Sequence, residues 1–366
     1  MAKLNIPVGV SDFAELRSNG YYYVDKSGLI REMLTSSAAK VTLITRPRRF
    51  GKTLGMSMLE NFFNIRKNSE KLFENLEISG NRELCDQWMN QWPVIFFSLK
   101  DIDGLDFQSA YDRLVVQLSN LCKMHVYLLQ SEAIDPDDKK VFLELKAGTA
   151  SEAQVGFSLN TLMRMMESYY RKPVILLLDE YDVPLAKALE REYYDQMVIF
   201  IRNLFEYALK TNDSLKFAVL TGCMRISRES IFTGLNNLKV LSIADVQFDE
   251  YFGFTDEEVR EMLEYYELSD HYEDIREWYD GYQFGKAEVY CPWDVINYVD
   301  TLRADPLAEP KNYWSNTSSN EAVKRFIRES DKVTLRREIE RLVAGEVIEK
   351  EIHQEHADIC RMMNTL

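Results

Sequence analysis

Five short apolar runs, rich in β-branched and aromatic residues, mark the first two thirds of the chain: Val41 to Thr45, Val94 to Ser98, Val174 to Leu178, Phe217 to Leu220 and Val240 to Ile243. Continuous runs of this length predict strands covered on both faces, as in a parallel sheet. Between them apolar residues recur every three to four positions: Leu54, Met58, Phe62 and Ile65; Phe107, Tyr111, Leu114 and Leu118; Leu159, Leu162, Met163 and Met166; Tyr194, Met197, Val198 and Ile201. Each set predicts a helix with one buried stripe. Strands alternating with helices predict a doubly wound α/β sheet, with its ligand at the carboxyl ends of the strands.

After Phe248 the strand-like runs give way to helical periods and to acidity: from Asp249 to Asp280, thirteen Asp or Glu face only Arg260 and Arg276. That segment predicts a separate helical domain with a solvated acidic face. A mixed stretch follows Tyr282, with Trp293, Val295, Ile296 and Val299 on one helical stripe and turn residues around Asp305 to Pro310. The expected division is 1–248, 249–310 and 311–366. At 366 residues the chain is long enough for two or three domains. Its final residues, Met363-Asn364-Thr365-Leu366, carry no capping or tail signal, and truncation is the expectation.

Composition narrows the function classes. With 44 Lys and Arg against 59 Asp and Glu, the formal charge is −15, so the surface as a whole repels nucleic acid and anionic lipid. The five cysteines are scattered, with no CxxC pair, which argues against a disulfide framework or a zinc knuckle and for a reducing, cytoplasmic setting. No apolar run approaches the roughly 18 residues of a membrane span. His353 and His356 read as a solvated helix face, and the tyrosine and methionine stripes as core.

Chemistry concentrates after the first strand, at Arg46-Pro47-Arg48-Arg49-Phe50-Gly51-Lys52-Thr53-Leu54. Strand, loop, Gly-Lys-Thr and helix form a P-loop context: backbone N–H groups face phosphates, Lys52 reaches the β/γ-phosphates and Thr53 ligates Mg²⁺. The first glycine of the pattern falls at residue 46, where this chain has Arg46, and Pro47 removes a donor. Phosphate contacts from Arg46, Arg48 or Arg49 are the expected substitute.

A second segment, Lys172-Pro173-Val174-Ile175-Leu176-Leu177-Leu178-Asp179-Glu180-Tyr181-Asp182, is a buried strand ending in adjacent carboxylates. As a Walker B segment it assigns Asp179 to the metal and Glu180 to the attacking water as general base. A third, Phe217 to Ser227, places Thr221 and Arg225 just past another strand, where a γ-phosphate sensor sits when an extra strand lies between the A and B strands. Arg225 is preferred for its fixed charge; a surface role, paired with Glu229, is the alternative.

Together with Phe13, Tyr23-Val24-Asp25-Lys26-Ser27, Ile231-Phe232-Thr233-Gly234-Leu235-Asn236-Asn237, Trp278-Tyr279-Asp280-Gly281-Tyr282 and Tyr290-Cys291-Pro292-Trp293, these segments resemble the bacterial AAA-ATPase-like proteins. Those belong to the signal-transduction branch of P-loop ATPases and usually continue into a PD-(D/E)XK nuclease-like domain. The resemblance covers nearly the whole chain, with Cys291 where the family usually has Asn. It implies that the arginine-rich loop is a family trait. It also implies a P-loop NTPase fold with a mostly parallel five-stranded sheet, a helical lid and the start of a winged-helix region. Under it Pro292 touches the nucleotide from the lid side, or simply starts a helix, and Val24, Asp25 and Lys26 line an adenine pocket, or Asp25 or Ser27 simply caps a helix. Asp135-Pro136-Asp137 with Glu144-Leu145-Lys146 mimics a nuclease centre at too short a spacing and reads as a capped, charged helix.

The expected function is an Mg-ATP-binding switch that hydrolyses slowly. The alternative is a non-hydrolysing, nucleotide-dependent binding or recruitment module, with regulation of a nuclease-like effector domain as one form of it. Nucleotide is the expected partner, a homo-oligomer or protein partner stays open, and nucleic acid finds no support in the overall charge.

Overall fold

The computed structural model describes residues 3–36, 39–223, 231–232 and 235–314. Arg225 and the expected winged-helix segment beyond Trp314 lie outside the described residues.

All five expected strands form: β1 (Val41–Thr45), β2 (Val94–Ser98), β3 (Val174–Asp179), β4 (Leu215–Gly222) and β5 (Leu238–Leu241). They make one all-parallel sheet in the order β2-β3-β4-β1-β5. The strand between those carrying the Gly-Lys-Thr and Asp-Glu segments is therefore β4. Register aligns the carboxyl ends, with Thr45 beside Gly222 and Ser98 beside Asp179.

Alternation sorts the side chains into two cores. Val41, Leu43, Leu176, Leu178 and Leu220 face one layer of helices, including Phe107–Met124, Ser158–Tyr170 and Tyr194–Leu209. Ile44, Ile175, Leu177 and Val219 face the other, with Met58, Leu59, Phe62 and Phe63 of the Lys52–Phe63 helix. Both faces are dry, which is why the strands read as unbroken apolar runs. The Asp135 segment is the capped helix that its sequence suggested: Pro136–Ala147 starts on Asp135, whose side chain accepts from the Asp137 N–H, and ends on left-handed Gly148.

The region after Phe248 holds more than helices. Phe254–Thr255 (β6), Tyr282–Phe284 (β7) and Ala287–Tyr290 (β8) form an antiparallel sheet in the order β6-β8-β7. Around it lie the helices Asp256–Tyr266, Tyr272–Tyr279 and Pro292–Ala304, with their own core of Val259, Ile275, Val295 and Tyr298. The second core of the large sheet also takes in Phe248, Phe252, Phe284, Val289 and Cys291, so apolar packing runs across the border expected at residue 248. Lys26 ties the amino-terminal segment to this region, with Nζ 2.6 Å from both Glu258 carboxylate oxygens and from the Glu250 carbonyl.

Among the described residues no helix is long and apolar enough to cross a membrane. A cavity of about 300 Å³ lined by Lys40, Thr42, Trp88, Lys216 and Phe217 opens at the amino-terminal ends of β1 and β4, away from the carboxyl ends where the polar cluster lies.

Candidate functional site

The Lys52–Phe63 helix begins directly after the loop that leaves β1. Its N-cap is Gly51 at φ 79°, a left-handed conformation that favours glycine, and no side chain caps the first turn. A helix of this length leaves its first amides without intrahelical partners and presents a partial positive charge there, a setting suited to an anion. A Cβ on Gly51 would meet nothing within 4 Å, so the space before the helix is open.

Lys52 is buried and turned onto its own loop: Nζ donates to the Arg46 carbonyl at 2.9 Å and the Pro47 carbonyl at 2.7 Å, and lies 3.4 Å from Cys223 Sγ. Thr53 Oγ1 donates to Asp179 Oδ2 at 2.8 Å. Thr221 Oγ1, from the intervening β4, donates to Asp179 Oδ1 at 2.5 Å. Asp179 is fully buried, and its two oxygens are held by hydroxyls, one from the first turn of the Lys52–Phe63 helix and one from a neighbouring strand end. The structure thus brings together Lys52, Thr53, Asp179 and Thr221.

Glu180 follows at φ 53°, a left-handed backbone uncommon for a residue with a side chain. Its carboxyl is pushed above the ordinary glutamate value, first by burial and then by the Asp179 charge, with Lys52 pulling back. Beyond it Asp182 is buried, and its Oδ2 accepts the Cys223 N–H at 3.0 Å. Gly222 must be small, since a Cβ there would sit 2.5 Å from the Tyr181 ring and 2.7 Å from Asp182 Oδ1.

The arginine-rich loop behaves differently from expectation. Arg46 is completely buried, and its guanidinium donates to the carbonyls of Thr45, Leu241 and Phe248 at 2.9, 3.2 and 3.2 Å. It lies 5.5 Å from the Phe252 ring and 5.1 Å from Phe284. In this arrangement its two Nη groups pin the loop to the body of the protein, while the buried Nε has no hydrogen-bond partner among the described residues. Phe50 is likewise buried, against Tyr282 and Phe284. Arg49 turns to Trp293, its guanidinium 4.4 Å from the ring centre. Of the three arginines, Arg48 is the exposed one; Pro47 and Leu54 are half-buried.

Asp25 caps backbone: its two oxygens accept from the N–H groups of Ser27 and Glu77 at 2.8 and 2.6 Å. Pro292 is buried at the first position of the Pro292–Ala304 helix. Pro292 thus starts a helix, and Asp25 holds two backbone amides. Three neighbours carried no assigned role in the sequence: Asp182, Cys223 beside Lys52, and Trp293 beneath Arg49. Trp293 does lie in a segment that carries the family resemblance. Among the described residues no three His, Cys, Asp or Glu side chains gather as a metal cluster, so a metal role rests on the Thr53–Asp179 pair.

A parallel β2-β3-β4-β1-β5 sheet, with a Gly-Lys-Thr helix start and a buried strand-end aspartate meeting at its carboxyl edge, defines a P-loop NTPase-like α/β protein. Residues 7–232 match the model of the family described as Predicted AAA-ATPase, and the chain belongs to that family. It is also 27% identical over 321 residues to a curated relative described as "Uncharacterized protein in vnfD 5'region", from Azotobacter chroococcum mcd 1. The match takes in 87% of this chain and 55% of the relative, so the chain spans about half the relative's length. Family membership makes nucleotide-binding ATPase the general class.

Proposed function

We propose that the protein binds Mg-ATP and hydrolyses it slowly, as a nucleotide-dependent switch. The observation that carries this reading is the 2.8 Å hydrogen bond between Thr53 and Asp179, residues 126 positions apart. A hydroxyl and a carboxylate are the hard oxygen donors that suit magnesium, which takes one or two protein oxygens and keeps its waters. Thr53 and Asp179 would hold the ion, whose contribution is to neutralise charge developing on the phosphates.

The chain's own groups account for the remaining steps. The uncapped amides from Lys52 onward orient the phosphate chain, and Lys52 exchanges its loop carbonyls for phosphate oxygens. Thr221 keeps Asp179 in one rotamer. Glu180 accepts the proton of the attacking water, and its raised pKa brings it closer to that task at neutral pH. Arg225 as sensor of the γ-phosphate remains part of the proposal on sequence grounds.

The second reading, a recruitment module that barely hydrolyses, is favoured by one feature: among the described residues no side-chain hydrogen bond aims the Glu180 carboxylate. The two readings separate in one set of experiments. Mg-ATP at 100 times its Kd is expected to stabilise the wild type by about 2.7 kcal/mol, and Lys52→Ala to abolish the shift. Glu180→Gln is expected to keep the shift and lose turnover by about 10²-fold or more. No shift in folded wild type would remove the nucleotide reading; unchanged turnover in Glu180→Gln would remove the catalytic one.

A further inference from the structure

The phosphate-facing loop is gripped from the side by the region after residue 248. Arg49, at φ 72°, lays its guanidinium over Trp293 at 4.4 Å, with the Trp314 ring centre 5.7 Å away. The Trp293 Nε1 donates to the Tyr313 carbonyl at 3.2 Å, and Arg49 Nη1 approaches the same oxygen at 3.4 Å. Next to Trp293 in the first turn of the Pro292–Ala304 helix, Asp294 is buried with Oδ1 lacking a hydrogen-bond partner among the described residues, and its charge acts on Arg49. One residue along, Phe50 packs so closely that a Cβ on Gly253 would lie 3.1 Å from its ring. Two residues separate Arg49 from Lys52, so whatever fixes Arg49 also fixes the start of the phosphate-binding turn.

Resting on the nucleotide reading above, we propose that Trp293 is a positioning residue for the nucleotide loop. It seats Arg49 and thereby holds Gly51 to Thr53 in the shape that receives phosphates, although it touches no phosphate itself. Binding at the loop and the placement of the Pro292–Ala304 helix are then two sides of one equilibrium. Reciprocity follows: a helix position that improves nucleotide affinity is itself stabilised by nucleotide to the same factor. This gives the switch a named mechanical link, an arginine–tryptophan stack between the loop and the carboxyl-terminal region.

The test uses the full chain and Mg-ATP as the probe, in a double-mutant cycle of Arg49→Ala and Trp293→Ala, with Trp293→Phe as the conservative variant. Trp293→Ala is expected to weaken Mg-ATP binding by about tenfold, within the usual range of coupling between sites. Trp293→Phe restores most of it, and the Arg49 and Trp293 effects are non-additive. Hydrogen exchange supplies a readout that a merely structural role would not move: Mg-ATP protects amides of the Pro292–Ala304 helix in wild type, and Arg49→Ala removes that protection. Should Trp293→Ala fail to fold, the cycle is run with Trp293→Leu, which removes the ring under Arg49 and keeps apolar bulk. Additive effects, or wild-type affinity in a folded Trp293→Ala chain, overturn the proposal. A wild type that binds no Mg-ATP overturns the nucleotide reading itself, a result distinct from binding that ignores Trp293.

Discussion

Arg46 occupies the position where a P-loop pattern has glycine, so Arg46→Gly restores the pattern, and the structure says that it harms the protein. Glycine earns that position through backbone freedom, yet Arg46 is not among the residues with positive φ. Three hydrogen bonds from a charged donor, at about 1.5–3 kcal/mol each, give a gross contribution of roughly 5–9 kcal/mol. Against this stands desolvation: burial pushes the guanidinium pKa down from 12.5 to about 10, a penalty of roughly 3 kcal/mol. The net loss on removing the side chain is therefore on the order of 2–6 kcal/mol, to which a glycine adds up to about 1 kcal/mol of backbone entropy. Chemical denaturation of wild type and Arg46→Gly, with the same slope in both, reads this directly. The variant is also expected to bind Mg-ATP more weakly, because the loop loses its tie to Leu241 and Phe248. An Arg46→Gly protein as stable as wild type, binding nucleotide equally well, would refute the pinning role.

Two further outcomes follow from the site. Gly222→Ala places a methyl group against the Tyr181 ring and Asp182 and is expected to destabilise the chain by about 1–3 kcal/mol; a melting temperature equal to wild type would show that Tyr181 moves freely. For pH, the proposed base Glu180 would act only when ionised, and its pKa is raised. Turnover should therefore fall on acidification with a midpoint above the ordinary 4.5, and Glu180→Gln should abolish that limb. A limb at or below the ordinary value would take Glu180 out of the rate equation.

The large sheet was legible because its central strands are buried on both faces: Val174 to Leu178 is apolar and buried at every position. Thr53, Asp179 and Thr221 were legible because strand ends and helix starts put chemistry at fixed offsets. The small sheet was not, since β6 has two residues and β7 three, too few for any period to show. The carbonyl contacts of Arg46 were hidden for a different reason. A loop arginine looks the same in sequence whether it meets a phosphate or carbonyls at positions 241 and 248, and only the fold brings those carbonyls near. The contact between Arg49 and Trp293 was hidden in the same way.

The resting posture of Lys52 bears on how a ligand would arrive. Its ammonium already has two carbonyl acceptors from the loop, one of them on the pinned Arg46. An arriving phosphate would not meet a bare cation; it would have to take the lysine away from the backbone, and the gain would be the difference between two bonded states. Arrival is thus an exchange. On the proposed reading the loop would shed a staple as it acquires a ligand, and a group that also satisfied the neighbouring amides would be favoured over one that did not.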